Sequence, residues 1–502
     1  YCLVADGHEI RTAAYFDGTD NYYSNSGSGS SYSAPMISGS IALLKQAFPN
    51  HTAEQLTDRL LASANNSFFS PEGNTTFTTH GNGITHGYHS TWGHGVPDLY
   101  AALSPITTNL NPASASSTNG LAISFGNNLS QQQARVQLSG TSFVPSYSFG
   151  DSLSSALSKE TFYFYDALNG GFRYPILNLV SETKLSRDIK TLIVIDLSRL
   201  NFLINKPRKK LNYNFHNIFS DIEILDSEFA LTLNAPNAAV QNFNNQYIGE
   251  FNFFPHKNHF INNSQKGFGI NQKLKISDKT LLFGYHNTKI HPDNVVSDDN
   301  LQNLSLSISG SNFFDSYTLI TGILLEEDSL LGAKGESAFS LHNSYNRSTY
   351  VGFNLEKQLL QDFYVKGLFF LGLSELNDLN NNFIVGADEI YSSSFGFQIS
   401  KYDSFFSNDR LGFFFSQPQR IDQGNIKLKL PMLANSEGEM NFLYKDISLV
   451  PTGRQLDFGV DYVVLKNENT MFGFRGSFTQ DINHVASNKV ESFITLSAKI
   501  RF

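Results

Sequence analysis

Apolar and polar residues alternate strictly through the last part of the chain, and this pattern constrains the fold more than any other feature. At the C-terminus one parity holds Ile494, Leu496, Ala498, Ile500 and Phe502, and the other holds Thr495, Ser497, Lys499 and Arg501. A period of two is that of a β-strand, whose successive side chains point to opposite faces of a sheet. Similar segments, separated by turns rich in Asn, Asp, Gly and Ser, begin near residue 245 and predict an all-β antiparallel region.

About twelve such segments, each about ten residues long, favour closure of this region into a transmembrane barrel. The chain has 44 Phe and 22 Tyr but a single Trp, an aromatic content that suits strands with a lipid-facing side. A soluble all-β domain, with its apolar face turned inward, is the alternative. We expect residues 241–502 to form the barrel.

Composition limits the other possibilities. A chain of 502 residues exceeds a single hydrophobic core, so we expect at least two domains. Its charge is sparse and net negative, at −9, which argues against a nucleic-acid partner. Cys2 stands alone and can form neither an intramolecular disulfide nor a thiolate metal site, so we expect it to serve packing. The nearest approach to an apolar span, residues 192–204, is interrupted by Asp196 and Arg199, so membrane insertion would need strands.

Residues 1–105 have the pattern of an α/β domain. The stretch 33–44 carries no charge and predicts a buried helix. Thr52 and Gln55 have the spacing of a capping box and predict the start of a second helix. We expect residues 106–133 to be a linker and residues 134–240 a β-rich passenger or connecting region, with strands at Thr161–Tyr165 and 192–195.

Ser31 is the candidate nucleophile. It lies in a run of small residues that leads directly into the uncharged helix, so it is predicted to stand at a helix N-terminus. Unpaired N–H groups and the positive end of the helix dipole can stabilise an oxyanion there. Pro35 is tolerated in the first turn, where N–H groups have no intrahelical partner. By itself, a Gly/Ser-rich turn that starts a helix is more often structural than catalytic.

Residues 29–39, which read G-S-S-Y-S-A-P-M-I-S-G, resemble the nucleophile segment G-T-S-x-A-A-P-x-V-S-G of the subtilisin family. Residues 2–7 resemble the family's A-P-G stretch, and residues 93–99 resemble its closing G-x-G-x-V-D-x segment. The resemblance implies the C-terminal part of a subtilisin-like α/β domain and a serine endopeptidase that hydrolyses polypeptides. It assigns the nucleophile to Ser31 and implies no cofactor.

The match departs from the family pattern at Ser30, Tyr32, Ser33 and Asp6. Family members place the catalytic Asp and His, and the oxyanion-hole Asn, well before the serine. We therefore expect these partners, and any signal peptide, to precede Tyr1, and the chain alone to be inactive. Asp6 and His8 lie too near Ser31 to serve as the family's acid and base, and we assign them no catalytic role.

The C-terminal region resembles the translocator barrel of autotransporters. The similar segments are residues 327–332 (E-D-S-L-L-G), residues 416–421 (S-Q-P-Q-R-I) and the terminal I-R-F. The resemblance implies an outer-membrane anchor, with lipid and the barrel-insertion machinery as partners and a passenger at the cell surface or secreted.

Two other motifs give alternatives. Residues 150–154 (G-D-S-L-S) resemble the nucleophile block of G-D-S-L esterases, with Ser152 as nucleophile, and Asp481 and His484 fit that family's D-x-x-H spacing. A D-x-x-H spacing also arises by chance. His80, His86, His89 and His94 are clustered but lack a metal-binding spacing, so we predict no metal site. An inactive passenger that acts as a surface adhesin is the remaining alternative.

Overall fold

The computed structural model describes most of the chain in discontinuous ranges. These are residues 2–16, 18, 21–77, 84–107, 120–129, 131–181, 211–214, 217–224, 227–236, 264–290, 300–311, 313–341, 345–376, 382–467, 470–487 and 489–500. The strand predicted at residues 192–195, the linker residues 108–119 and the terminal Phe502 lie outside them.

The N-terminal segment, residues 2–107, contains two hairpins and three helices. In chain order its elements are β1 (Ile10–Phe16), β2 (Asn21–Gly27), α1 (Ser30–Ala47), α2 (Ala53–Ala62), β3 (Gly73–Phe77), β4 (Ile84–Tyr88) and α3 (Leu99–Leu103). The capping box predicted for α2 is confirmed: the Thr52 side chain accepts from the N–H of Gln55, and the Gln55 side chain accepts from the N–H of Thr52.

Helix α1 forms where the uncharged stretch predicted a helix, but the prediction that it is buried is wrong. Only Ser40 and Leu44 are buried, and α1 packs on α2 and α3. Met36 and Leu43 are 48% and 51% exposed. A helix without charges can be buried, but it is buried only where another element packs against it. In the described residues no element covers one face of α1.

The middle unit, residues 120–181, folds around a small sheet. Its elements are β5 (Ala122–Ser124), β6 (Arg135–Gln137), β7 (Ser142–Val144), α4 (Ser152–Leu157), β8 (Thr161–Tyr165) and β9 (Gly171–Pro175). Four strands pair in the order β6-β5-β8-β9, and β8 confirms the strand predicted at these positions.

A large antiparallel sheet occupies the C-terminal part. The remaining strands are β10 (Leu211–Asn214), β11 (Asn217–Ile224), β12 (Ser227–Pro236), β13 (Ser264–Ile276), β14 (Lys279–Ile290), β15 (Asn300–Gly310), β16 (Ser316–Glu326), β17 (Ser329–Leu330), β18 (Ala333–Glu336), β19 (Asn346–Leu360), β20 (Phe363–Glu375), β21 (Ile384–Ala387), β22 (Ile390–Tyr402), β23 (Asp409–Gln423), β24 (Asn425–Pro431), β25 (Phe442–Ser448), β26 (Leu456–Asn467), β27 (Thr470–Gln480) and β28 (Val490–Ile500).

Fourteen of these strands form one sheet, in the order β10-β11-β12-β13-β14-β15-β16-β19-β20-β22-β23-β26-β27-β28. Within the described ranges β10 and β28 stand at its two ends and do not pair with each other. Two smaller sheets, β17-β18-β7 and β21-β24-β25, lie beside it. None of the helices in the described part of the chain is long and apolar enough to span a membrane.

The two faces of the large sheet have opposite character. Large apolar side chains point into solvent: Leu371 is 46% exposed, Phe413 56% and Leu496 60%. The other face holds fully buried polar residues, among them Asn303, Ser348, Ser374, Gln398 and Asp461. These groups bond across strands, as where the hydroxyls of Ser348 and Ser374 lie 2.7 Å apart. The predicted alternation is therefore present, and its apolar face is the exposed one.

The middle unit is attached to the large sheet through segments that connect the strands of that sheet. Strand β7 pairs with β18, and a single hydrophobic cluster joins middle-unit residues such as Phe143 and Phe162 to Phe339 and Phe383. The hydroxyl of Tyr165 donates to the carbonyl of Met432 at 2.9 Å. Strand pairing, an apolar core and side-chain hydrogen bonds thus all hold this unit in place.

Candidate active site around Ser31

Ser31 lies in the first turn of α1 and is exposed. The N-cap is Gly29, with φ of 145° and no side-chain cap for the helix. A residue with a Cβ rarely adopts such a backbone angle, so glycine suits this position. No N-cap side chain accepts a hydrogen bond from the first-turn N–H groups of α1, which is the arrangement that an oxyanion site at a helix N-terminus requires.

The structure brings together the three segments that carry the subtilisin resemblance. The N–H of Gly29 donates to the carbonyl of Gly7 at 2.7 Å, which joins the serine segment to the first segment. The N–H of Val4 donates to the carbonyl of Gly95, and the N–H of His94 donates to that of Cys2, both at 2.9 Å. Residues 2–7 therefore join two segments that are far apart in the sequence, the serine segment and residues 93–99.

Gly7 is required by close approach, a role that sequence reasoning did not identify. A Cβ at this position would lie 2.4 Å from the Ser33 hydroxyl oxygen and 2.7 Å from the Gly29 carbonyl oxygen. Tyr32, which departs from the family pattern, has its ring against Gly27, where a Cβ would be 2.7 Å from ring carbon Cζ. The serine turn is thus fitted closely to its neighbours, and the departures at Tyr32 and Ser33 are accommodated by glycines.

Asp6 and His8 form a local turn. The carboxylate of Asp6 accepts from the backbone N–H of His8 at 3.0 Å, and both residues are exposed. Among the residues that the structure describes, the Ser31 hydroxyl has no hydrogen-bond partner that would act as its base. Cys2 is exposed, although it lies against Gly93.

Two of the four clustered histidines form a buried pair. Nδ1 of His86 lies 3.3 Å from Nδ1 of His94, and Nε2 of His86 lies 3.0 Å from the carbonyl oxygen of Ala64. Because a carbonyl only accepts, neutral His86 carries its proton on Nε2, and His94 donates from Nδ1. His89 instead pairs with Glu72, and His80 lies outside the described residues. Nowhere in the described ranges do three potential metal ligands come together.

Burial lowers the pKa of both His86 and His94 in the folded protein. A lowered folded pKa means that the unfolded chain binds protons first, so the pair's contribution to stability is complete above about pH 6.5 and is lost as the pH falls below that value. We expect the N-terminal segment to unfold more easily at pH 5.5 than at pH 7.5, each histidine adding a slope of up to about 1.4 kcal/mol per pH unit.

The loss of stability is measured by urea unfolding at these two pH values, with hydrogen exchange of residues in α2 and β4 as the readout. A His86→Gln, His94→Gln double variant should be less stable at pH 7.5 but should have a shallower dependence on pH. Equal slopes in the variant and the parent protein would contradict this role for the pair.

The residues of the alternative esterase motif make structural contacts with one another. Residues 150–152 touch the turn that holds His484: a Cβ on Gly150 would lie 2.8 Å from the carbonyl oxygen of Asn483. Both ring nitrogens of His484 are occupied, since Nδ1 accepts from the N–H of Gln455 and Nε2 donates to the carbonyl of Gln419, each at 2.9 Å. Burial lowers the pKa of His484 to about 4.

Ser152 is 3% exposed, and its hydroxyl has no hydrogen-bond partner among the described residues. Asp151 accepts from both the N–H and the hydroxyl of Thr452. A buried serine without a base is not an activated nucleophile, so the geometry does not support an esterase site.

Of the two segments that resemble autotransporter sequences, residues 327–332 lie between β16 and β18 and include β17, whereas residues 416–421 lie within β23. The carboxylate of Glu326 accepts from the N–H groups of Leu331 and Gly332 at 2.7 and 2.8 Å and fixes the turn before β18. Arg420 donates to the carbonyls of Pro451 and Gly453, both at 2.9 Å, and so positions the loop that meets Asp151. Both segments therefore shape the surface on which the middle unit is docked.

Comparison with known proteins gives one finding. Residues 1–89 match the model of the subtilase family, a stretch that includes Ser31 and the first two similar segments but not residues 93–99. Neither the curated proteins nor the solved structures contain a match. The match covers 89 of the 502 residues and supports a subtilisin-like serine protease at the level of the family.

Proposed function

We propose that this protein is a subtilisin-like serine endopeptidase whose nucleophile is Ser31. The observation that carries the proposal is the subtilase match over residues 1–89, in which Ser31 stands exposed at the N-terminus of α1. Its hydroxyl is reachable from solvent, and the helix end offers N–H groups for an oxyanion. The substrate class that follows is a polypeptide.

The reaction begins with attack of Ser31 Oγ on the scissile carbonyl. A histidine takes the hydroxyl proton and later gives it to the leaving amine, and water hydrolyses the acyl-enzyme. By the family's order of segments, that histidine, its aspartate and the oxyanion Asn come before the serine segment. Residues 1–502 supply the nucleophile and its helix, and activity depends on those partners.

The test is casein hydrolysis by a longer protein that includes the preceding coding sequence. We expect hydrolysis that phenylmethylsulfonyl fluoride abolishes and that Ser152→Ala leaves unchanged, because Ser152 is buried away from solvent. A longer protein that lacks hydrolysis but reaches the cell surface would instead favour an adhesin.

We further propose that the large sheet is an outer-membrane barrel that anchors the protein, with the N-terminal segment at the cell surface or secreted. Support comes from its faces: apolar side chains such as Leu371 and Phe413 are exposed, whereas polar ones such as Gln398 and Asp461 are buried. A soluble all-β domain would bury the apolar face instead. Lipid, and the machinery that inserts barrels, are the partners that this arrangement implies.

A charge placed on the apolar face distinguishes lipid from water. Leu371→Arg, in the middle of β20, should destabilise the protein in phospholipid vesicles by about 2–4 kcal/mol, the cost of a cation near the bilayer midplane. Phe405→Arg is the matched control, because Phe405 is 68% exposed in the turn between β22 and β23. Urea unfolding from vesicles measures both. If Leu371→Arg is as harmless as the control, the sheet does not face lipid.

A further inference from the structure

The turn between β8 and β9 lies inside the core of the N-terminal segment. We name this turn, residues 166–170, the docking turn. Asp166 and Ala167 are fully buried and Leu168 is 1% exposed. Ala167 and Leu168 share one hydrophobic cluster with Leu61, Ala62, Phe77, Ile84 and Ile106, all of which belong to the N-terminal segment. Part of that segment's core is therefore supplied by the middle unit.

A buried ion pair fastens the docking turn to α2. Nη2 of Arg59 lies 2.6 Å from Oδ2 of Asp166, and both side chains are fully buried. The guanidinium also donates to the carbonyls of Ala102 and Ser104, and the carboxylate accepts from the N–H groups of Ile106, Leu168 and Gly170. Both charges are paired and hydrogen-bonded, as buried charges must be.

Aromatic and polar contacts surround this pair. The rings of Phe48 and Phe172 meet edge to face, with centroids 5.7 Å apart, and the guanidinium of Arg59 lies 4.2 Å from the centroid of Phe48. Nε2 of His51 lies 3.3 Å from the carbonyl oxygen of Leu168. These surrounding groups exclude water from the ion pair, and the low local dielectric strengthens the attraction between its two charges.

We propose that the docking turn holds the N-terminal segment on the middle unit and the large sheet independently of the peptide connection at residues 108–119. Cleavage of that connection would then leave the segment attached by non-covalent contacts. The partner of the docking turn is thus the N-terminal segment of the same chain. The proposal does not depend on Ser31 being catalytic, because every contact that carries it lies away from α1's first turn.

The test uses the full chain with a recognition sequence for a site-specific protease inserted after Ser114. After complete cutting, the two fragments are diluted to nanomolar concentration in detergent and separated by size exclusion. We expect the N-terminal fragment to co-elute with the remainder. Elution of two separate folded fragments would overturn the proposal.

Two leucine variants distinguish docking from general stability. Leu168→Ala removes the side chain that enters the N-terminal core, and it should weaken retention of the cut fragment roughly 100-fold. Leu157→Ala empties an equally buried position in the cluster that the middle unit shares with the large sheet, away from the N-terminal segment, and should leave retention unchanged. Phe172→Leu, a milder change at the rim, replaces Leu168→Ala if that variant aggregates before cutting. Retention equal to that of the parent in both docking variants would show that the turn is not what holds the segment.

Discussion

Replacing Ser31 by alanine in the longer, active protein should abolish measurable peptide hydrolysis. In subtilisin itself, loss of the nucleophile lowers kcat by about 10⁶-fold, and we expect a loss of the same order. Binding groups and the oxyanion site remain after the substitution, so a residual rate of about 10³–10⁴ over water is expected. Steady-state kinetics on casein-derived peptides measure the ratio.

Ser30→Ala is the matched control for that experiment. Ser30 precedes Ser31 in the same exposed turn and stands where the family has Thr. Loss of its hydroxyl should change kcat by less than about tenfold, because it is not the attacking group. If both variants retain full activity, Ser31 is not the nucleophile.

Replacing Asp166 by alanine should destabilise the N-terminal segment by about 3–5 kcal/mol, the cost of leaving one partner of a buried ion pair uncompensated. Arg59 would keep its charge inside the core, and the N–H groups of Ile106, Leu168 and Gly170 would lose their acceptor. Such a loss is a large part of the stability of an ordinary domain. Native-state hydrogen exchange in α2 reports it directly.

The exposed pair of Arg347 and Glu375 is the control for this prediction. Its side chains are 54% and 43% exposed, so solvent screens their attraction, and Glu375→Ala should cost less than about 1 kcal/mol. If Asp166→Ala were equally mild, the buried pair would not stabilise the junction between α2 and the docking turn.

Signals that act over a few residues were readable from the sequence. The capping box of Thr52 and Gln55 spans three positions, and the structure contains both of its hydrogen bonds. Phe472, Phe474 and Phe478 share one parity, which likewise predicted a strand, now β27, with one apolar face. In each case the pattern is set by the period of the element itself.

Relations between distant parts of the chain were not readable in this way. Arg59 and Asp166 are separated by 107 positions, and the only sequence signal is a lone arginine among the apolar positions of α2. The same limit explains the wrong prediction for α1, whose burial depends on what packs against it. The pairing of His86 with His94 depends on the β4 hairpin reaching the segment after it.

The most direct test of the central claim is covalent labelling of Ser31. The longer protein is treated with a fluorophosphonate probe, digested and mapped by mass spectrometry. We predict one adduct, on the peptide that contains Ser31, and none in Ser31→Ala. An unlabelled Ser31 in a protein that still hydrolyses casein, or an adduct on Ser152, would contradict the assignment of this chain's chemistry to the serine at the start of α1.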